Sequence, residues 1–338
     1  MTGFFNKTSR RYVLNAAVAL ALYVFLMALI EYRVLNRYQA QMLIPIGFNI
    51  ILAVSLNLTA GFLGQLPLGH AGFMAVGAYT AALFTIALNH LPPNVRLPLG
   101  LVVGGLVSAS FGVLIGLPAL RLKGDYLAII TLGFGEIIRV IILNLKFTGG
   151  AFGLRGMGRL TNVTVTYISV LATLFFISTL IKSRHGRAIL SIREDEIAAE
   201  AAGIPTTYYK VLAFTVSAGF AGVAGGLYAH FLGILDPSTF GFMRSAEILV
   251  IVVLGGLGSL FGSVVSATVL TILPELLRGF AEYRMVIYSL LLVLVMIFKP
   301  SGLCGRYNFS LGGELDNFFA WTRIKMLGKG GDPNDAHS

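Results

Sequence analysis

Long apolar stretches separated by short polar connections make up most of the chain. The first seven are each close to the ~20 residues that a helix needs to cross a bilayer. They cover residues 12–31, 40–63, 66–90, 97–118, 124–145, 163–181 and 211–234. Seven such stretches in series predict a polytopic helical membrane protein, because helices satisfy their own backbone hydrogen bonds in lipid.

Two more apolar stretches follow, and the first of them is interrupted by glycine. Residues 246–274 are too long for one upright helix, and Gly255-Gly256-Leu257-Gly258 stands in their middle. Because glycine disfavours a continuous helix, we expect two short helices hinged at this point. With the final stretch, 284–298, the pattern predicts an all-α fold of about ten transmembrane helices.

The composition excludes the main alternatives to a membrane protein. Of the 338 residues, 56% are hydrophobic and only 12% are charged, whereas soluble domains carry about 25% charged residues. So few charges cannot coat the water-exposed surface of a soluble enzyme. The chain is also too apolar to be disordered.

The net charge of +10 indicates orientation and does not indicate nucleic-acid binding. Basic residues stand singly or in pairs between the apolar stretches, with no single basic cluster. Lys7, Arg10 and Arg11 precede the first span, so the positive-inside rule places the N-terminus in the cytoplasm. Ten crossings return the C-terminus to the same side. We therefore expect a cytoplasmic N-terminus (1–11), a transmembrane domain (12–303) and a cytoplasmic tail (304–338).

Glycine and other small residues recur at close spacing within the spans, which predicts closely packed helices. The residues concerned are Gly72, Gly77 and Ala81, then Gly100, Gly104 and Ser108, then Gly219, Gly222, Gly225 and Gly226. Residues 61–66 (GFLGQL) also resemble residues 255–260 (GGLGSL). The predicted topology puts both of these glycine turns on the cytoplasmic side.

The longest polar segment before the tail covers residues 183–210. Ser191 and Glu194 match a capping box, and the run from Glu194 to Glu196 favours a helix N-terminus. Gly203 followed by Pro205 marks a helix end. This predicts a short cytoplasmic helix over 192–202. A partial apolar stripe on it suits docking to a cytoplasmic partner, and its members are Ile192, Ile197 and Ala201.

Residues 186–204 (GRAILSIREDEIAAEAAGI) resemble the coupling segment of permease subunits of branched-chain amino acid ABC importers. Glu200-Ala201-Ala202-Gly203 is similar to the Glu-Ala-Ala loop that such permeases present to their ATPases. Further stretches resemble the same family, and they cover residues 56–83, 121–139, 237–262 and 298–303. Together they account for most of residues 40–303, but not for the first ten residues or the tail.

The resemblance implies a multi-pass permease of the bacterial inner membrane, with a type II-like importer architecture. It implies a second, homologous permease subunit, two cytoplasmic ATPase subunits and a periplasmic substrate-binding protein as partners, with branched-chain amino acids as substrates. The residues that it assigns to ATPase coupling are Arg187, Glu194, Asp195, Glu196, Glu200, Ala201 and Gly203. The chain has no G-x-x-x-x-G-K-[ST] motif, so we expect no catalytic residue, cofactor or metal here.

Polar residues within the apolar stretches are candidates for the translocation path. Glu136 and Arg139 are three residues apart and share a helix face. Charges at membrane depth usually face a bundle interior or a wet path, although a structural ion pair explains them equally well. Asn57, Gln65 and His70 flank the first glycine turn; they either line a polar conduit or satisfy backbone groups freed by the Gly64–Pro67 break. For Gln65 we favour the second role.

Two other functions fit parts of the sequence. A permease for urea or short amides shares much the same pattern as the branched-chain amino acid permeases. A secondary transporter working alone is disfavoured, because few acidic residues lie within the spans and ion-coupled carriers commonly need them. The predicted cytoplasmic helix over 192–202 also argues against a transporter working alone.

Overall fold

The computed structural model describes residues 7–32, 36–122 and 124–277, together with 283, 286, 289, 290, 293, 297, 298 and 302. Apart from those single positions, the predicted last span (284–298) and the tail (304–338) lie outside the described residues. Helix α1 (Lys7–Glu31) lies in one compact unit, and its described apolar part is Ala17–Glu31. The later helices of the described residues lie in a second unit, Arg37–Tyr307.

The second unit is built from ten described helices. Helix α2 (Arg37–Asn57) continues through a π-helical turn, Leu58–Phe62. The others are α3 (His70–Ala87), α4 (Pro93–Ala119), α5 (Asp125–Asn144), α6 (Val163–Lys182), α7 (Arg184–Glu194), α8 (Glu196–Ala201), α9 (Thr206–Leu232), α10 (Phe242–Gly255) and α11 (Leu260–Leu276). One antiparallel bridge pairs Leu154 with Leu235.

The apolar pattern located the helices of the described part correctly. Six helices are long and apolar enough to cross a membrane, namely α2 with its π-helical turn, α3, α4, α5, α6 and α9. The stretch 246–274 is divided into α10 and α11 at Gly256–Ser259, as predicted. The span predicted from residue 66 in fact begins at His70. Gly64 has a φ of +77°, which ends the preceding helix.

Helices α3, α4 and α9 form the core, and their small residues allow backbone contact. A β-carbon added at Gly77 would overlap the backbone of Gly222, and one at Gly225 would overlap Met74 O. Ser108 Oγ on α4 lies 2.9 Å from Phe73 O and 2.7 Å from Ala218 O, so one hydroxyl joins all three helices. The predicted packing role of the small residues is confirmed at these positions.

Replacing Gly222 by leucine is expected to separate α9 from α4 and lower the stability of the fold. A β-carbon at Gly222 would lie 2.5 Å from Ser108 Cβ and 2.9 Å from Gly104 O. Overpacking of this kind costs about 1–3 kcal/mol, to be measured by thermal unfolding in detergent. Gly133→Leu is the matched control, because a β-carbon at Gly133 meets nothing within 4 Å. An equal loss in both variants would contradict the packing argument.

Helices α3 and α10 both begin beside the middle of α5. Leu68 N donates to Thr131 Oγ1 at 3.0 Å, just before α3 starts, and Phe242 N of α10 donates to Glu136 Oε1 at 3.0 Å. The two helix starts also meet directly, since Ala71 N donates to Ser245 Oγ at 3.1 Å. Two positively polarised helix N-termini therefore converge near the centre of one spanning helix.

Candidate coupling surface and intramembrane polar site

The segment predicted as one helix over 192–202 is two helices that meet at Asp195. Helix α7 begins earlier, with Ser183 Oγ accepting from the N–H groups of His185 and Gly186. It runs through Ser191, whose hydroxyl donates to Ala188 O and caps nothing. Asp195 has an extended backbone and caps α8 by accepting from Ile197 N and Ala198 N. The predicted capping box was therefore wrong, since Glu194 ends α7, whereas Glu196 and the stop at Gly203 (φ +81°) are as expected.

Helix α8 is fixed to the start of α9 by two side-chain links. Lys210 Nζ lies 2.7 Å from a Glu196 carboxylate oxygen, and the Lys210 side chain is only 4% exposed. Thr206 Oγ1 donates to Glu200 Oε1 at 2.6 Å. Helix α9 packs along α3 and α4 through its glycines, so these two links join α8 to the core of the bundle.

The exposed surface of the segment includes α8, the turn that follows it and several residues of α7. Ile197 is 74% exposed. The predicted apolar stripe was wrong in one member, because Ile192 is buried within the bundle. Exposed residues of the segment include Arg187, Glu194, Asp195, Ala198, Glu200, Ala201 and Gly203. This mixture of one large apolar side chain, small residues and acidic groups has the composition of a docking surface.

Replacing Glu196 by glutamine is expected to destabilise the link between α8 and α9. The buried Lys210 would lose its countercharge, which costs about 3 kcal/mol, the low end for a broken buried pair, because Glu196 is partly solvated. Lys210→Met should cost less stability, because the carboxylate left without its partner is 24% exposed and stays partly solvated. The double variant should be more stable than Glu196→Gln alone. Chemical unfolding of the three variants measures this order. Additive losses would show that the two groups do not interact.

The two glycine turns lie against each other, and Asn57 joins them. Asn57 is fully buried; its Oδ1 accepts from Gly258 N at 2.9 Å, and its Nδ2 donates to Ser259 O at 2.9 Å and to Ser263 Oγ at 2.7 Å. A β-carbon at Gly61 would overlap Gly258 N. We name the contact of Gly61, Gly64, Gly256, Gly258 and Asn57 the glycine junction.

The other two residues near the first turn do not join one site with Asn57. His70 is the first residue of α3, buried among helices, and its Nε2 lies 3.1 Å from Ser55 Oγ. Gln65 N donates to Thr59 O at 2.9 Å, but its side-chain Oε1 is buried and accepts no hydrogen bond from the described residues. That oxygen therefore does not satisfy the backbone groups freed at the break, contrary to our expectation.

Glu136 and Arg139 pair on α5, as predicted, and the pair also holds α10. Arg139 Nε lies 2.6 Å from Glu136 Oε2, while Glu136 Oε1 accepts from Phe242 N. Glu136 lies about 16 Å from the start of α5 and about 12 Å from its end, given a rise of 1.5 Å per residue. Both side chains are about one-third exposed. The ion pair thus lies near the middle of α5 and is partly exposed.

A second ion pair beside the first was missed as a site by sequence reasoning. Arg244 Nη1 lies 2.9 Å from Glu247 Oε2 on the first turns of α10, and Arg244 Nη2 donates to Asn49 Oδ1 at 2.7 Å. Glu247 remains 60% exposed. The i,i+3 spacing of Arg244 and Glu247 is visible in the sequence. In the structure, Glu136 and not Glu247 accepts from the first N–H group of α10.

Comparison with known families places most of the second unit in one family. The family described as "Branched-chain amino acid transport system / permease component" matches residues 38–298. This range includes both glycine turns, the ion pairs on α5 and α10, and the α7–α8 segment. No solved structure matches this chain.

Similar curated proteins carry the same kind of name. The high-affinity branched-chain amino acid transport system permease protein LivM of Salmonella typhimurium is 43% identical over 292 residues, which cover 75% of this chain and 67% of LivM. LivH of Escherichia coli, a permease protein of the same named system, is 36% identical over 144 residues, or 42% of this chain and 46% of LivH.

A more distant relative matches over nearly its whole length. The probable branched-chain amino acid transport permease protein LivM of Methanocaldococcus jannaschii is 24% identical over 319 residues, covering 78% of this chain and 92% of the relative. The family match extends across the whole described bundle from α2 to α11. The chain therefore belongs to the family of permease components of branched-chain amino acid transport systems.

Proposed function

We propose that this chain is one permease subunit of an ATP-driven importer that moves branched-chain amino acids across the bacterial inner membrane. The proposed coupling to ATPases is supported by the geometry of α8. This helix is exposed, and the Glu196–Lys210 pair fixes it to α9, a spanning helix that packs in the core. The named relatives support the substrate class. A transporter driven by an ion gradient has no use for such a cytoplasmic surface.

The ATPase-facing surface in this proposal is α8 with the end of α7 and the following turn. Ile197 is the apolar anchor, and Ala198 and Ala201 permit close approach. Arg187, Glu194, Asp195 and Glu200 supply polar contacts at the edge, and Gly203 allows the sharp turn into α9. Nucleotide-driven closure of two ATPase subunits would move α8, and α9 would follow through Lys210 and Thr206.

The proposed assembly contains a second permease subunit and a periplasmic binding protein. LivM and LivH are both named as permease proteins of one transport system, and both resemble this chain. A homologous partner subunit would cover the open side of the ion pairs on α5 and α10. Specificity would then rest mainly with the binding protein, since the bundle offers few polar groups to a substrate.

We propose about ten crossings with both termini in the cytoplasm. Gly302 lies against Gly256, at the end of the bundle where α10 ends and α11 begins. This contact supports one further crossing between α11 and Gly302, as predicted for residues 284–298. The basic residues before α1 support the cytoplasmic position of the N-terminus.

The proposed translocation path runs along the face that carries Glu136 and Arg139. A zwitterionic amino acid carries one positive and one negative group, and a partly exposed ion pair can exchange partners with both at low cost. The converging N-termini of α3 and α10 favour the carboxylate end of such a substrate. The proposed path leaves out Asn57 and His70, because both are buried and hydrogen-bonded within the bundle.

Reconstitution tests the proposed function. The chain is co-expressed with a homologous permease and with ATPase subunits of the same kind of importer. Uptake of leucine and of urea is then compared in proteoliposomes supplied with a binding protein for each substrate. ATP-dependent leucine accumulation is the expected result. Accumulation of urea in place of leucine would contradict the substrate, and uptake without ATP would contradict the mechanism.

A further inference from the structure

One arginine bridges the coupling segment and the glycine junction. Arg193 is the penultimate residue of α7, two positions before the Asp195 cap of α8. A β-carbon at Gly64 would lie 3.0 Å from Arg193 Cγ, and a β-carbon at Gly258 would lie 3.0 Å from Arg193 Nη1. The side chain therefore lies along both glycine turns, with its stem on one and its guanidinium on the other.

Arg193 is anchored on the side of the coupling segment. Ile189 and Ile192, on the same helix, are both buried in the bundle core, and Asp195 N donates to Ser191 O at the end of α7. Only two residues separate Arg193 from the first turn of α8. A displacement of α8 therefore moves the Arg193 backbone with it.

The backbones of the glycine junction are packed too closely to absorb such a displacement. Gly61 and Gly258 approach at backbone distance, and Asn57 holds the second turn by three hydrogen bonds. Gly302 packs against Gly256 from a third chain segment. Asn57 joins the two turns from within the bundle, whereas Arg193 contacts both turns from the coupling segment. A movement of Arg193 can therefore shift one turn relative to the other.

The guanidinium also carries a charge to a site where it is favourable. The π-helical turn Leu58–Phe62 ends α2 beside Arg193, and helix C-termini attract cations through their last carbonyl groups. Within the described residues, the Arg193 guanidinium donates no hydrogen bond, so its five N–H donors are free to follow these carbonyl groups when the turns move.

We propose that Arg193 is a positioning residue that transmits movement of the ATPase-docked segment to the glycine junction, and so couples ATP hydrolysis to opening of the path. The inference rests on the proposed docking of ATPases at α8. It adds a second route into the membrane core, separate from the Glu196–Lys210 link to α9.

The test uses the complete importer in proteoliposomes and measures ATPase retention, ATP hydrolysis and leucine uptake in parallel. Arg193→Ala is expected to keep the ATPases bound and hydrolysis active, while leucine transported per ATP falls at least about five-fold, the low end of typical coupling between sites. Arg193→Lys keeps the stem on Gly64 but loses the reach to Gly258, so it should give an intermediate ratio. Arg184→Ala, exposed on the same helix, should leave the ratio unchanged.

The parallel measurements separate the possible failures. An unchanged ratio in both Arg193 variants would overturn the inference, as would loss of the ATPases from either variant, because Arg193 would then belong to the docking surface. If Arg193→Ala does not fold, the ratio in Arg193→Lys decides. Failure of the unmodified chain to retain ATPases would instead overturn the proposed function itself.

Discussion

Replacing Ile197 by aspartate is expected to release the ATPases from the membrane domain and abolish ATP-driven uptake. Ile197 is the most exposed large apolar side chain of the coupling segment, at 74%, and apolar anchors at the centre of an interface carry most of its binding energy. Removing such an anchor costs about 2 kcal/mol or more, which corresponds to roughly 30-fold weaker association. Co-purification of the ATPases with the tagged chain measures the loss.

The control for this experiment is Ile197→Leu, which keeps the apolar surface and should retain both association and uptake. Neither substitution should change the thermal unfolding of the isolated chain, because the side chain contacts little of its own fold. If Ile197→Asp retained full ATPase association, the proposed docking surface would be wrong.

Removing one charge of the Glu136–Arg139 pair is expected to lower the stability of the fold more than removing both charges. Glu136→Gln preserves an acceptor for Phe242 N but leaves Arg139 without its countercharge near mid-depth. An isolated charge there costs about 2.5–3.5 kcal/mol, and we expect about 2 kcal/mol, because a third of each side chain is exposed. A detergent titration measures unfolding, and Glu136→Gln and Arg139→Gln should each prove less stable than the double variant.

Uptake by the same variants separates a structural ion pair from a path. If the pair only holds α5 to α10, the double variant should recover transport along with stability. The proposed path requires the opposite: restored stability with leucine uptake still reduced, since the substrate would meet no exchangeable charges. Full recovery of uptake in the double variant would contradict the path at this face.

The sequence was sufficient for the spanning helices because membrane insertion leaves a strong compositional signal. Both ends of α5 and α6 were predicted within two residues, and the break between α10 and α11 followed from three glycines. The start of α3 was missed by four residues. Residues 63–69 contain only one polar side chain, Gln65, and hydropathy does not report that Gly64 adopts a positive φ there.

The coupling segment shows where local rules compete. The capping-box spacing favoured Ser191 as the helix cap. The structure selects Asp195, because Ile189 and Ile192 bury themselves in the bundle and carry α7 through Ser191 before the chain can turn. Tertiary burial decided between two locally acceptable helix starts.

Long-range pairs could not be predicted from spacing alone. Lys210 and Glu196 are 14 residues apart, and they meet only because Gly203 reverses the chain between α8 and α9. The bonds from Asn57 to Gly258 and Ser263 span about 200 positions. The two glycine turns resemble each other in sequence, but that resemblance did not predict their backbone contact or the reach of Arg193.

The most direct measurement for the whole account is leucine uptake into proteoliposomes with ATP inside or outside the vesicles. The complete assembly with the unmodified chain is expected to accumulate leucine under one condition. ATP must be on the membrane side that holds the ATPases, and the binding protein must be on the opposite side. The same assembly with Ile197→Asp should accumulate none. Leucine accumulation by this chain alone, driven by an ion gradient without ATPases, would contradict the account.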